Sequence, residues 1–116
     1  MSKRPINLLL NDICQSINRI EQYIENLSFD ALSKDQKSVD AVVRNLEIIG
    51  EAANRLPDEF KEKHSEIEWY KLVGLRHRIV HEYFGIDLKI IWQIVHKDLP
   101  ELKQKIRQIM STEEGS

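Results

Sequence analysis

Cysteine occurs once in the 116-residue chain, at Cys14. No disulfide can therefore close within it, and a cysteine-based zinc site is excluded. Cys14 lies beside an apolar stripe and is read as a buried or half-buried thiol. Glycine occurs four times, proline three times, and aromatics make up only 7%. That scarcity argues against a sandwich or barrel and for helices. Long apolar runs are also missing. The start MSKRPINLLLND has no apolar stretch ending in small residues, so neither a signal peptide nor a membrane span is expected. A reducing cytoplasm suits the cysteine usage. Nor does one sign of charge dominate: 17 Lys and Arg face 19 Asp and Glu, a net charge of −2. Such a chain does not coat nucleic acid indiscriminately.

What is present is a hydrophobic fraction of 41%, too high for disorder. The length suits a single domain over residues 1–116, ordered from about 5 to about 110. Apolar residues recur at steps of three and four from Ile6 to Leu27, which predicts a first helix of about six turns starting near Pro5. Ser33 and Gln36 have the spacing of a capping box, and a second helix is expected from there to Leu56, before Pro57. A short helical piece fits through Lys63. Ser65 and Glu68 predict the cap of a third helix running to about Phe84, with Gly85 as its stop. Asp87 is the expected cap of the last helix, where Pro100 predicts a kink or a restart. The expected fold class is all-α: an antiparallel four-helix bundle with room for one short extra helix.

Two helices carry residues that break the apolar pattern. The expected inward stripe of the third is Trp69, Leu72, Val73, position 76, Ile79, Val80 and Tyr83, and position 76 is Arg. A guanidinium on such a stripe needs a carboxylate partner or a phosphate, because desolvating it alone is costly. On the second helix Asp40, Arg44, Glu47, Glu51 and Asn54 form one continuous polar line. That line suits either a solvated face or the wall of a groove that orients Arg76. His81 follows Arg76 by five residues, at the expected last turn, where a helix dipole favours its cationic form. It is a candidate for proton transfer, or a simple capping histidine. His77 and His81 have metal-pair spacing, but no third ligand accompanies them, so no metal or other cofactor is expected. The segment KLVGLRHRIVH holds cations and no carboxylate, which makes any nucleic-acid site local.

Arg76, His81 and Tyr83 together spell Arg, four residues, His, one residue, Tyr. With His77 directly after the Arg, and with AVVRNLEIIGEAANRLP and HEYFGID around the motif, the chain resembles the HepT-like toxins of the HEPN superfamily. The resemblance spans about Ile6 to Met110. It implies a HEPN-like helical homodimer whose motif residues from both subunits line one cleft. It implies a metal-independent endoribonuclease that is the toxin of a toxin–antitoxin pair, with tRNA as a substrate class. It also implies an MNT-type nucleotidyltransferase partner that transfers AMP onto the motif tyrosine, here Tyr83. In that frame Arg76 holds phosphate and His81 moves protons, with His77, Asp40, Arg44, Glu47 and Glu51 in support. Two other readings stay open: a non-catalytic nucleotide-binding or scaffolding partner of a nucleotidyltransferase, and a purely structural dimer with a buried Arg–carboxylate network.

Overall fold

The computed structural model describes residues 4–81 and 85–115, with Val80, His81, Ile86 and 113–115 described by their backbone alone. The architecture is an all-α bundle. Pro5 precedes α1 (Ile6–Ile24) as its N-cap residue, extended at ψ 148°, and its carbonyl accepts from the Leu9 N–H at 3.1 Å. Leu9, Leu10, Ile13, Ile17 and Ile20 form its buried stripe. The helix is 19 residues long, about five turns rather than six. It stops in a tight turn, where Glu25 is extended at ψ 126° and Asn26 takes a left-handed φ of 64°, closed by the Leu27 N–H donating to the Ile24 carbonyl at 2.9 Å. Leu27 still packs against the core from beyond that break.

The start of the second long helix differs from expectation. Ser33 closes a separate short helix, α2 (Phe29–Ser33), which Ser28 caps by accepting from the Ala31 N–H at 3.0 Å. The cap of α3 (Gln36–Arg55) is Asp35, whose carboxylate accepts from both the Ser38 N–H and the Ser38 hydroxyl. An aspartate in reach of two donors outcompetes a serine two residues upstream. Along α3, Val39, Val42, Leu46, Ile49 and Ala53 face the core as their spacing predicts. The short piece before Lys63 is α4 (Asp58–Lys63), and Phe60 anchors it in the core. Lys61 donates to the Ala53 carbonyl at 3.1 Å, supplying a cation to the carbonyl end of α3.

The expected third helix is instead two short ones and a hairpin. Ser65 caps nothing; α5 (Trp69–Val73) begins after Glu68, held by the Trp69 indole N–H donating to the His64 carbonyl at 3.0 Å. Gly74 separates α5 from α6 (Leu75–Ile79). The chain then extends into β1 (Val80–His81), which pairs antiparallel with β2 (Gly85–Ile86). Helical backbone ends at Ile79, and Phe84, the expected end, lies outside the described residues. Gly85 has φ +74°, a left-handed turn that glycine adopts without strain, and here it serves the hairpin rather than a helix end. Asp87 does cap the next helix, α7 (Leu88–Gln93), accepting from the Lys89 and Ile90 N–H groups. Near Pro100 the helix does not break but widens: α7 runs through a π-helical turn over Ile94–Asp98 directly into α8 (Leu99–Gly115), and the Leu99 N–H reaches back to the Ile94 carbonyl. Proline offers no N–H to the carbonyl four residues earlier, and the widened turn absorbs the mismatch.

Among the described residues no helix is long and apolar enough to cross a membrane. The α1–α3 pair forms the spine, with α8 packed on α1 and α5 and α6 on α3. The Asp35 cap has a pH signature. The Ser38 hydroxyl and N–H hold its carboxyl below the usual carboxylate range. Its contribution is therefore complete above the unfolded value of about 3.9 and fades as pH falls through the lower folded value. Asp35→Asn should flatten the loss of stability between about pH 5 and pH 2 in urea titrations. An unchanged slope would show that Asp35 is not linked to folding.

Candidate functional site

A groove of about 540 Å³ runs along α3, bounded by Leu9 and Asp12 of α1 on one side and by Val73 and Arg76 on the other. Its wall is the polar line of α3: Arg44, Glu47, Glu51 and Asn54. Spacing alone favours a solvated face laced with weak ion pairs; Arg44, Glu51 and Asn54 are indeed exposed, and with Glu47 they line this open groove. Asp40, the fifth member, is not among the lining residues and instead accepts from the Gln36 amide at 2.7 Å.

Arg76 does not sit on the core stripe. The buried residues around it are Trp69, Leu75 and Ile79, and Arg76 itself is exposed. Trp69, Leu72 and Ile79 keep the inward places expected of them, but Leu75 fills the place expected of position 76 and leaves its neighbour facing the groove. Val73, also assigned to the stripe, is 41% exposed and lines the same groove. No buried partner is then needed, and none holds Arg76: among the described residues its guanidinium has no hydrogen bond or ion pair.

The groove charges divide into spent and unspent ones. Asp12 is taken by Arg4 through two bonds, at 2.7 and 2.8 Å, and its carboxylate raises the Arg4 pKa above the ordinary range. Glu51 is paired with Arg55 at 3.1 Å. Arg44, Glu47 and Arg76 carry no such bond among the described residues. Two unengaged guanidiniums thus face one unengaged carboxylate, a local surplus of positive charge in a chain that is acidic overall. Planar forks of this kind suit phosphate oxygens.

The remaining candidates fall as follows. His77 is exposed and lies outside the groove lining. His81 is not in a helical turn. Its backbone lies in β1, opposite Gly85, two residues past the end of α6. A five-residue helix also has little macrodipole to offer, so that argument for a raised histidine pKa fails. The His81 side chain and the whole of Tyr83 lie outside the described residues. Gly50, which sequence reasoning passed over, lines the groove as well. Its signal was an isolated glycine inside an otherwise regular helical pattern.

The ribonuclease HepT-like family model matches residues 13–109. A protein of Caldanaerobacter subterraneus subsp. tengcongensis, named provisionally as an RNase, is 40% identical over 90% of this chain and 93% of its own. A protein of Thermococcus cleftensis, named provisionally as ribonuclease HepT, is 38% identical over 92% of this chain and 97% of its own. A Methanocaldococcus jannaschii protein, named as a gamma-glutamylcyclotransferase and provisionally an RNase, is 40% identical over 93% of this chain and 49% of its own. No solved structure matches. The chain belongs to the ribonuclease HepT-like family.

Arg44 and Arg76 are exposed, and solvent screening limits what each would contribute to holding an anion. Arg76→Ala and Arg44→Ala should each weaken inorganic phosphate binding about three- to tenfold in NMR titrations at low salt. Glu47→Gln should strengthen it. Equal affinity in all three variants would show that phosphate does not bind in this groove.

Proposed function

We propose that the chain is a metal-independent endoribonuclease, the toxin of a toxin–antitoxin pair, acting on tRNA or another RNA. The observation that carries this reading is the pair of unengaged guanidiniums, Arg76 and Arg44, facing one groove in a member of a family described as ribonuclease-like. The names of the relatives from Caldanaerobacter and Thermococcus point the same way.

In this reaction the 2′-hydroxyl of the RNA attacks the adjacent phosphorus. The hydroxyl proton leaves to a base, the bond from phosphorus to the 5′-oxygen breaks, and that oxygen takes up a proton. No water is consumed, and the ends are a 2′,3′-cyclic phosphate and a 5′-hydroxyl. His81 is assigned the proton transfers and Arg76 the charge that grows on the phosphorane. Glu51 holds Arg55 at the groove wall, Glu47 supplies the unpaired carboxylate that balances the cations there, and Arg44 adds a second contact to the backbone. The active form is taken to be a homodimer in which motif residues of two subunits share one cleft. An MNT-type nucleotidyltransferase serves as antitoxin by transferring AMP to Tyr83. The added phosphate then engages Arg76 as a pseudo-substrate, and the added bulk fills the cleft.

Cleavage of a tRNA pool in EDTA tests the reading. His81→Ala should lower the rate about 10²- to 10⁴-fold and Arg76→Ala roughly 10²- to 10³-fold. The products should resist 3′ ligation until the cyclic phosphate is opened and the resulting monophosphate removed. Magnesium-dependent cleavage leaving 5′-phosphates would overturn the mechanism, and tight nucleotide binding without cleavage would favour a non-catalytic partner of a nucleotidyltransferase. Intact mass after co-expression with the nucleotidyltransferase should rise by one or more AMP units in the wild type. Tyr83→Phe should show no gain; a gain that persists in it would place the modification elsewhere.

A further inference from the structure

Helix α3 carries glycine at a place where its own stability favours alanine. Gly50 lies well inside the helix, between buried Ile49 and Ala52. Glycine is the least favourable residue there apart from proline, so some other demand holds it. The demand is space. A Cβ added to Gly50 would stand 2.9 Å from the Leu72 carbonyl oxygen and 3.7 Å from that of Val73. The nearer atom is backbone, so it cannot swing aside as a flexible side-chain tip would. The carbonyl end of α5 as a body would have to withdraw from α3.

That end of α5 sits one helical turn before Arg76. Gly50 in turn lies directly before Glu51 and three residues after Glu47, on the stretch of α3 that walls the groove. The same few residues therefore set both the carboxylate line and the distance at which the Arg76 element passes it. Arg76 has no bond of its own to fix it among the described residues, so its placement depends on how closely α5 and α6 dock.

We propose that Gly50 is a positioning residue. Its missing side chain sets the width of the groove, and through that the point at which the Arg76 guanidinium meets a phosphate. The inference rests on reading the groove as a phosphate-binding ribonuclease site. It assigns Gly50 no contact with the RNA.

A double-mutant cycle on inorganic phosphate affinity tests it by NMR, using wild type, Gly50→Ala, Arg76→Ala and the double variant. A residue that acts through Arg76 has nothing left to act on once Arg76 is alanine. Gly50→Ala should weaken phosphate binding about threefold or more beside Arg76, and leave it unchanged beside alanine at position 76. Residual dipolar couplings should show α5 and α6 reoriented against α3. A loose-folding variant is read at low temperature in trimethylamine N-oxide, which favours the compact state. Equal losses in both backgrounds, no loss in either, or a wild type that binds no phosphate would overturn the proposal. RNA cleavage by wild type and Arg76→Ala is measured alongside. If neither cleaves while the cycle shows coupling, the ribonuclease reading fails and the role of Gly50 stands.

Discussion

The seam between α1 and α3 fixes the rest of the molecule. Ile13, Ile17 and Ile20 on one helix and Val42, Leu46 and Ile49 on the other are all fully buried. Each such side chain contributes about 1.5–3 kcal/mol on leaving water, as an upper estimate. The seam also carries a cost, because the Ser16 hydroxyl and the Asn45 carbonyl oxygen are buried with no hydrogen-bond partner among the described residues. The apolar interlock outweighs that cost, and it locks the rotation of α3. Once Val42, Leu46 and Ile49 point inward, Arg44, Glu47 and Glu51 must point along the groove, since a helix turns about 100° per residue.

The opposite wall of the groove is held less directly. Neither α5 nor α6 exceeds five residues, too few for either to be stable alone. They are ordered by what they touch. The Trp69 ring packs near Phe60 and bonds the His64 carbonyl, which sets the start of α5. Leu75 and Ile79 are drawn into the core, which sets the rotation of α6. Arg76, sitting between them, is left on the outside by default. A cation reaches a groove in this way without being buried, and the desolvation cost that a core arginine would carry does not arise.

Charge pairing then decides what the groove can attract. Arg4 closes on Asp12 and Arg55 on Glu51, which removes two carboxylates from competition for Arg44 and Arg76. Formal charge along the chain would give no hint of this, since the total is −2 and the lining holds acids and bases in similar number. Elsewhere the same chemistry is purely structural. Lys103 pairs with Glu21 at 2.7 Å and ties α8 to α1 far from the groove.

The sequence by itself determined the helical class, the inward stripes of α1, α3 and the last helix, the Asp87 cap and a helical irregularity near Pro100. Each of these is a local matter of 3.6-residue spacing, capping chemistry or a missing N–H. It also put Arg44, Glu47 and Glu51 on one face of α3, because polar residues at helical spacing share a face wherever the helix lies. Only the tertiary structure decided that Asp35 rather than Ser33 caps α3, and that the third helix is two short helices followed by a hairpin. The same is true of the outward turn of Arg76 into a groove instead of the core. Those outcomes depend on which neighbours compete for a surface, such as Leu75 against Arg76 or a Leu72 carbonyl against Gly50. Competition of that kind has no signature in the spacing of a single helix.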